Sequence, residues 1–152
     1  MKTKALITSI AGTILSKKEL NLFKTYKPWG IILFKRNIKD FYQAKKLIES
    51  IKNIFNNKNY PIIIDEEGGT VCRLTSFIDN KAYSQNFFGS LYKKNRSLAI
   101  SIYENYIFSL SSVFKTLGIN INTVPVLDIL KKNTHKIILP RTFSDDLNII
   151  KT

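Results

Sequence analysis

The chain has 152 residues, 44% of them hydrophobic and 23% charged, the balance of an ordinary globular domain. A chain of this size buries roughly two-thirds of its unfolded surface, enough for one real core. A single cysteine, Cys72, excludes an internal disulfide, no metal-ligand spacing occurs, and nothing implies an oxidising compartment or a cofactor.

The net charge of +13 raises the question of nucleic acid, because clustered cations attract phosphate. The distribution argues against it. Lysine pairs such as Lys17-Lys18, Lys45-Lys46, Lys93-Lys94 and Lys131-Lys132 are scattered, and arginine is limited to Arg36, Arg73, Arg96 and Arg141. This is a solvated basic surface and not a tract. No apolar run reaches the roughly 18–20 residues of a membrane-spanning helix. The apolar stretch Ala5 to Leu15 is interrupted by Thr8, Ser9, Gly12 and Thr13 and reads as a first strand, not a secretion signal. The protein is therefore expected in the cytoplasm, with neither membrane nor nucleic acid as a partner.

In chain order, Ala5 to Ile10 predicts a short buried strand. Ser16-Lys17-Lys18-Glu19 fits a capping box opening a short helix with Leu20 and Phe23 on its apolar side. Gly30 to Phe34 is continuously apolar, as a parallel strand covered on both faces should be. From Asp40 to about Asn56, Ala44, Leu47, Ile48, Ile51, Ile54 and Phe55 form one helical stripe. Pro61 to Ile64 is a third strand running into Asp65. Thr75 to Tyr92 is a looser region, followed by a long helix from about Ser97 to Leu117 with Gly118 as its left-handed cap. Ile119 to Leu127 predicts a fourth strand reaching Asp128, and Asp145-Asp146-Leu147 opens a last helix.

This alternation implies an α/β fold with a parallel sheet, either open or part of a barrel. In such folds ligands sit beyond the carboxyl ends of the strands. Asp65 and Asp128 occupy that position; Arg73 and Arg141 follow them, so carboxylates that accept and guanidiniums that donate could line a rim suited to a polyhydroxyl ligand or small anion. Each has a plainer reading: either aspartate as a turn-maker or helix cap, and Arg73 as a surface partner of Glu66 or Glu67. His135 reads as a surface histidine, and Cys72 beside Val71 as buried, not reactive.

Three segments carry a resemblance: Gly30-Ile-Ile-Leu-Phe-Lys-Arg-Asn37, Ile64-Asp-Glu-Glu-Gly-Gly-Thr-Val-Cys-Arg-Leu74, and Leu117-Gly-Ile-Asn-Ile-Asn-Thr-Val-Pro-Val-Leu-Asp128. They resemble, in order and spacing, motifs of glycoside hydrolase family 3, most closely its bacterial β-N-acetylhexosaminidases of the peptidoglycan-recycling type. The resemblance covers essentially the whole chain and implies a partial (β/α)8 TIM barrel, about the first four β/α units, with residues 1–152 as a truncated barrel domain. It implies substrate-binding roles for Asp65 and Arg73 toward a terminal N-acetylglucosamine, and for Arg141 in Leu139-Pro-Arg-Thr-Phe143. Pro140 stands where the family has a glycine-acid pair, and Thr70 where it has arginine.

A complete barrel of this kind takes about 250 residues. The family's histidine general acid/base and aspartate nucleophile belong to later segments, so no catalytic residue is expected in this chain. Two partners are implied beside the amino-sugar substrate: a C-terminal half chain, or self-association through the open barrel edge.

Overall fold

Runs of branched aliphatic residues set between segments of helical period should form a parallel sheet, and the computed structural model, which describes residues 3–151, has one. Strands β1 (Lys4–Thr8), β2 (Pro28–Leu33), β3 (Ile62–Ile64) and β4 (Ile121–Asn122) lie side by side in sequence order, every neighbouring pair parallel. Ile31 pairs with Ile62, Leu33 with Ile64, and Ile63 with Ile121. Helices α1 (Lys17–Tyr26) and α2 (Phe41–Ile54) connect the first three strands. Helices α3 (Gln85–Lys94) and α4 (Arg96–Leu117) precede β4, and α5 (Leu147–Ile150) comes after it. The architecture is the α/β alternation that the sequence predicts.

The described chain forms two compact units. The first contains the chain up to Asp65, Arg73–Ile78 and Val113–Asn122. Its core is the middle of the sheet, where Ile31, Leu33, Ile62 and Ile64 are wholly buried, together with Phe23 of α1 and Ala44, Leu47, Ile48 and Ile51 of α2. The Phe55 ring stacks on Tyr60 at 3.9 Å, and the Tyr60 hydroxyl donates to the Pro28 carbonyl at 2.6 Å. The capping box at Ser16 forms as predicted, with the Ser16 side chain accepting from the Glu19 N–H and the Glu19 carboxylate accepting from the Ser16 N–H.

The second unit contains Glu66–Cys72, Asp79–Ser112 and the chain from Thr123 on. Its centre is aromatic: the Phe88 ring packs against Tyr83, Tyr103 and Tyr106, and Tyr103 meets Phe143 edge-on.

Three expectations need correction. β1 spans Lys4–Thr8, and Leu6 and Ile7 are about half exposed, because it is an outer strand of the sheet. β4 does not run to Leu127. It pairs only over Ile121–Asn122, against a β3 of three residues, and Pro125 brings no N–H to extend the ladder. The region from Thr75 to Tyr92 is not loose throughout, since α3 starts at Gln85, capped by the Ser84 side chain on the Phe87 N–H. Gly89 in its middle lowers helix propensity, but a Cβ there would overlap the Phe143 carbonyl.

Candidate functional site

Parallel pairing puts the segments after β1, β2 and β3 at one end of the sheet. Leu33 and Ile64 are register partners, so Phe34 and Asp65 emerge next to each other. The chain returns to this unit at Arg73, whose Nη2 donates to Asp65 Oδ2 at 3.4 Å. Both side chains are about a quarter exposed, at 25% for Arg73 and 23% for Asp65. The Arg73 guanidinium also lies over the Phe34 ring, 5.6 Å from its centre, while Arg36 lies 4.7 Å from the same ring. A guanidinium on a ring face is attracted by the ring's quadrupole and has its plane fixed.

The Arg36-Asn37 pair builds this rim. Arg36 donates to the Ile10 carbonyl and to Ser9 Oγ. Asn37 is completely buried; its Nδ2 donates to the carbonyls of Ile10 and Gly12 at 3.0 and 2.9 Å, and its Oδ1 accepts the Phe34 N–H at 2.9 Å. One amide therefore ties the segment after β1 to the end of β2, and Phe34 is held beneath Arg73. The arrangement offers a carboxylate that accepts and a guanidinium that donates, half-sheltered beyond a parallel sheet, the chemistry needed to grip hydroxyl and amide groups.

The second unit holds the loop between Asp65 and Arg73. Gly68 and Gly69 both have left-handed φ, +78° and +64°, and a Cβ on Gly68 would overlap the Tyr83 carbonyl. Within that turn Glu67 N–H donates to Val71 O and Gly69 N–H to Asn80 O. Glu66 is buried and accepts from Asn80 Nδ2 at 3.2 Å. Cys72 is buried beside it, and burial first, with the nearby Glu66 charge second, pushes its thiol up to about 12. The second unit also holds Arg141, in the single helical turn Leu139–Arg141, with both oxygens of Glu67 engaged at 2.8 and 2.9 Å.

The structure thus brings Asp65 and Arg73 together in the first unit and, in the second, joins Arg141 to Glu67. Asp128 does not follow a strand directly; β4 ends at Asn122 and Asp128 is exposed in a loop. His135 is exposed, its Nδ1 accepting the Ile137 N–H. Two contributors escaped the reading of the sequence: Phe34, as the surface under Arg73, and Glu67, as the partner of Arg141. Both lie inside the family-like segments Gly30–Asn37 and Ile64–Leu74, and that was their only signal. Among the described residues no group of three His, Cys, Asp or Glu side chains is placed to hold a metal ion, and no helix is long and apolar enough to cross a membrane.

No protein-family model matches the chain. It is 29% identical over 145 residues to a β-hexosaminidase of Xanthomonas campestris pv. campestris (strain B100), an alignment covering 95% of this chain and 43% of that protein. A β-hexosaminidase of Xylella fastidiosa (strain 9a5c) is 26% identical, with 95% and 42% covered. Among solved structures, NagZ from Neisseria gonorrhoeae in complex with N-trifluoroacetyl-D-glucosamine superposes with a TM-score of 0.86 at 26% identity, covering 97% of this chain and 43% of that one. A glycoside hydrolase family 3 β-N-acetylglucosaminidase from Paenibacillus sp. str. FPU-7 gives a TM-score of 0.69 at 27% identity, with 96% and 27% covered. The chain spans less than half the length of these curated relatives. Over nearly its whole length it resembles the N-terminal, barrel-forming portion of NagZ-like glycoside hydrolase family 3 β-hexosaminidases.

Proposed function

We propose that this chain supplies the sugar-holding part of a β-N-acetylhexosaminidase barrel that releases terminal N-acetylglucosamine from peptidoglycan fragments. Asp65 accepts hydroxyl protons of the bound sugar, Arg73 donates to its oxygens, and Arg141 contributes through the motif that it closes. The observation that carries the reading is the Asp65–Arg73 pair just beyond β3, ordered over Phe34. A neutral polyhydroxyl ligand bound among water-accessible groups is selected by such paired donors and acceptors. That a similar protein was crystallised with an N-acylated glucosamine fits the same ligand class. The single cysteine suits a reducing compartment such as the cytoplasm.

Asp65 is given no part in bond cleavage. A retaining glycosidase needs a nucleophile and a proton donor flanking the glycosidic bond. The histidine loop and later aspartate that serve the resembling family are not among these residues. Turnover therefore requires the remainder of a barrel, docked against an outer strand such as β1, whose Leu6 and Ile7 are exposed. Co-expression with a C-terminal half from a β-hexosaminidase, followed by assay of a chromogenic N-acetylglucosaminide, tests this. Turnover by the mixture and by neither half is the expected result; an inert mixture in which the halves associate rejects it.

A second reading, sugar binding without catalysis, rests on the same Asp65–Arg73 pair. It predicts binding of N-acetylglucosamine and no turnover in any mixture.

A further inference from the structure

Glu67 stands in the second unit and has a carboxylate that is almost completely hidden, with its side chain 6% exposed against 29% for Arg141. Oε2 accepts from Arg141 Nε at 2.8 Å and Oε1 from Nη2 at 2.9 Å. Two parallel N–H donors on two oxygens form the fork geometry that fixes a guanidinium in plane as well as in distance.

The backbone on both sides is also fixed. The Glu67 N–H is bonded to Val71 O, and the two left-handed glycines that come next have no space for a Cβ. Arg141 closes a helical turn through its N–H to Ile138 O, with Pro140 locking the preceding torsion. The remaining freedom lies in the two side chains, and the fork removes it. Burying a carboxylate is costly and does not by itself stabilise a fold. A hidden acid given wholly to one partly exposed arginine has instead the form of a device for orientation.

We infer that Glu67 is the positioning residue for Arg141, holding its guanidinium ready to donate to an acceptor oxygen of the bound amino sugar. The inference rests on the proposed sugar-contacting role of Arg141. It also removes Glu67 from the candidates for acid–base work, since both of its oxygens are engaged by N–H donors.

The test is isothermal titration of the full chain with N-acetylglucosamine, on the wild type, Glu67→Gln, Glu67→Asp, Arg141→Ala and the double variant Glu67→Gln/Arg141→Ala. Thermal melts give the folded fraction of each. Glutamine keeps the size of glutamate but places an NH2 against a guanidinium N–H, which breaks the fork. Affinity is expected to fall about tenfold in Glu67→Gln, in line with the worth of one charge-assisted hydrogen bond. Glu67→Asp, which retains the charge, should recover part of the loss. The deciding readout is the double variant, because residues acting through each other are not additive: its dissociation constant should equal that of Arg141→Ala. A merely structural Glu67 would weaken binding by the same factor in both backgrounds, and that result overturns the inference. So does a Glu67→Gln protein that binds like the wild type while Arg141→Ala does not. Wild-type affinity in Arg141→Ala would instead remove Arg141 from the site, and a wild type that gives no heat would overturn the sugar reading itself.

Discussion

The Arg73 guanidinium bonds Asp65 at 3.4 Å and lies 5.6 Å from the centre of the Phe34 ring, so one side chain spans the ends of β2 and β3. Lysine at this position would keep the charge and lose both the planar donor set and the ring contact. Arg73→Lys is expected to weaken N-acetylglucosamine binding by about tenfold, while an ion pair this exposed contributes only about 0–1 kcal/mol to stability. Calorimetric titration beside a thermal melt checks the two halves of that statement separately.

Asn37 should matter to stability more than any charge at the rim. Its amide satisfies two carbonyls of the segment after β1 and one N–H at the end of β2, and is fully buried. Asn37→Ala leaves those groups without it, at a cost of about 3 kcal/mol. The midpoint of urea unfolding should fall accordingly, with an unchanged slope.

Cys72 should behave as a hidden thiol. Burial, seconded by Glu66, raises it from an ordinary value of 9.0 to about 12, so the thiolate is scarce at pH 8. Alkylation by iodoacetamide at pH 8 is expected to be at least about tenfold slower in the native protein than in urea. The folded state keeps the proton longer than the unfolded state does. The contribution of Cys72 is thus whole below pH 9 and lost as pH rises from 9 toward 12. The stability difference between wild type and Cys72→Ala should shrink over that interval.

Gly89 lies in α3 where a Cβ would overlap the Phe143 carbonyl. Gly89→Ala gains roughly 1 kcal/mol of helix propensity and loses more through the backbone shift that it forces, about 1–3 kcal/mol. A lowered melting temperature, in spite of the better helix former, is the expected outcome.

The parallel order of the strands was legible because Gly30 to Phe34 and Pro61 to Ile64 are apolar without alternation, and because the α2 stripe keeps its period throughout. The capping box was legible because Ser16 and Glu19 interact locally. What could not be read was set by contacts distant in sequence. The end of β4 depends on the length of its partner β3, and the helix around Gly89 on the approach of Phe143. Half of the candidate site was visible in the same way: Asp65 stands where a strand stops, and Arg73 follows a turn that only glycines make. Phe34 beneath Arg73, and Glu67 against Arg141, needed coordinates, because neither pairing has a local signature. Asp128 was misplaced for the converse reason, an apolar run that continues after its ladder has ended.

The grip of Asp65 and Arg73 on an N-acetylated amino sugar is what the proposed function stands on. It is tested most directly by titrating N-acetylglucosamine into the wild type and Asp65→Ala in a calorimeter, with glucose as the control sugar. Saturable heat from the wild type, absent in Asp65→Ala and with glucose, is the predicted result. Equal heats from both proteins would contradict the account.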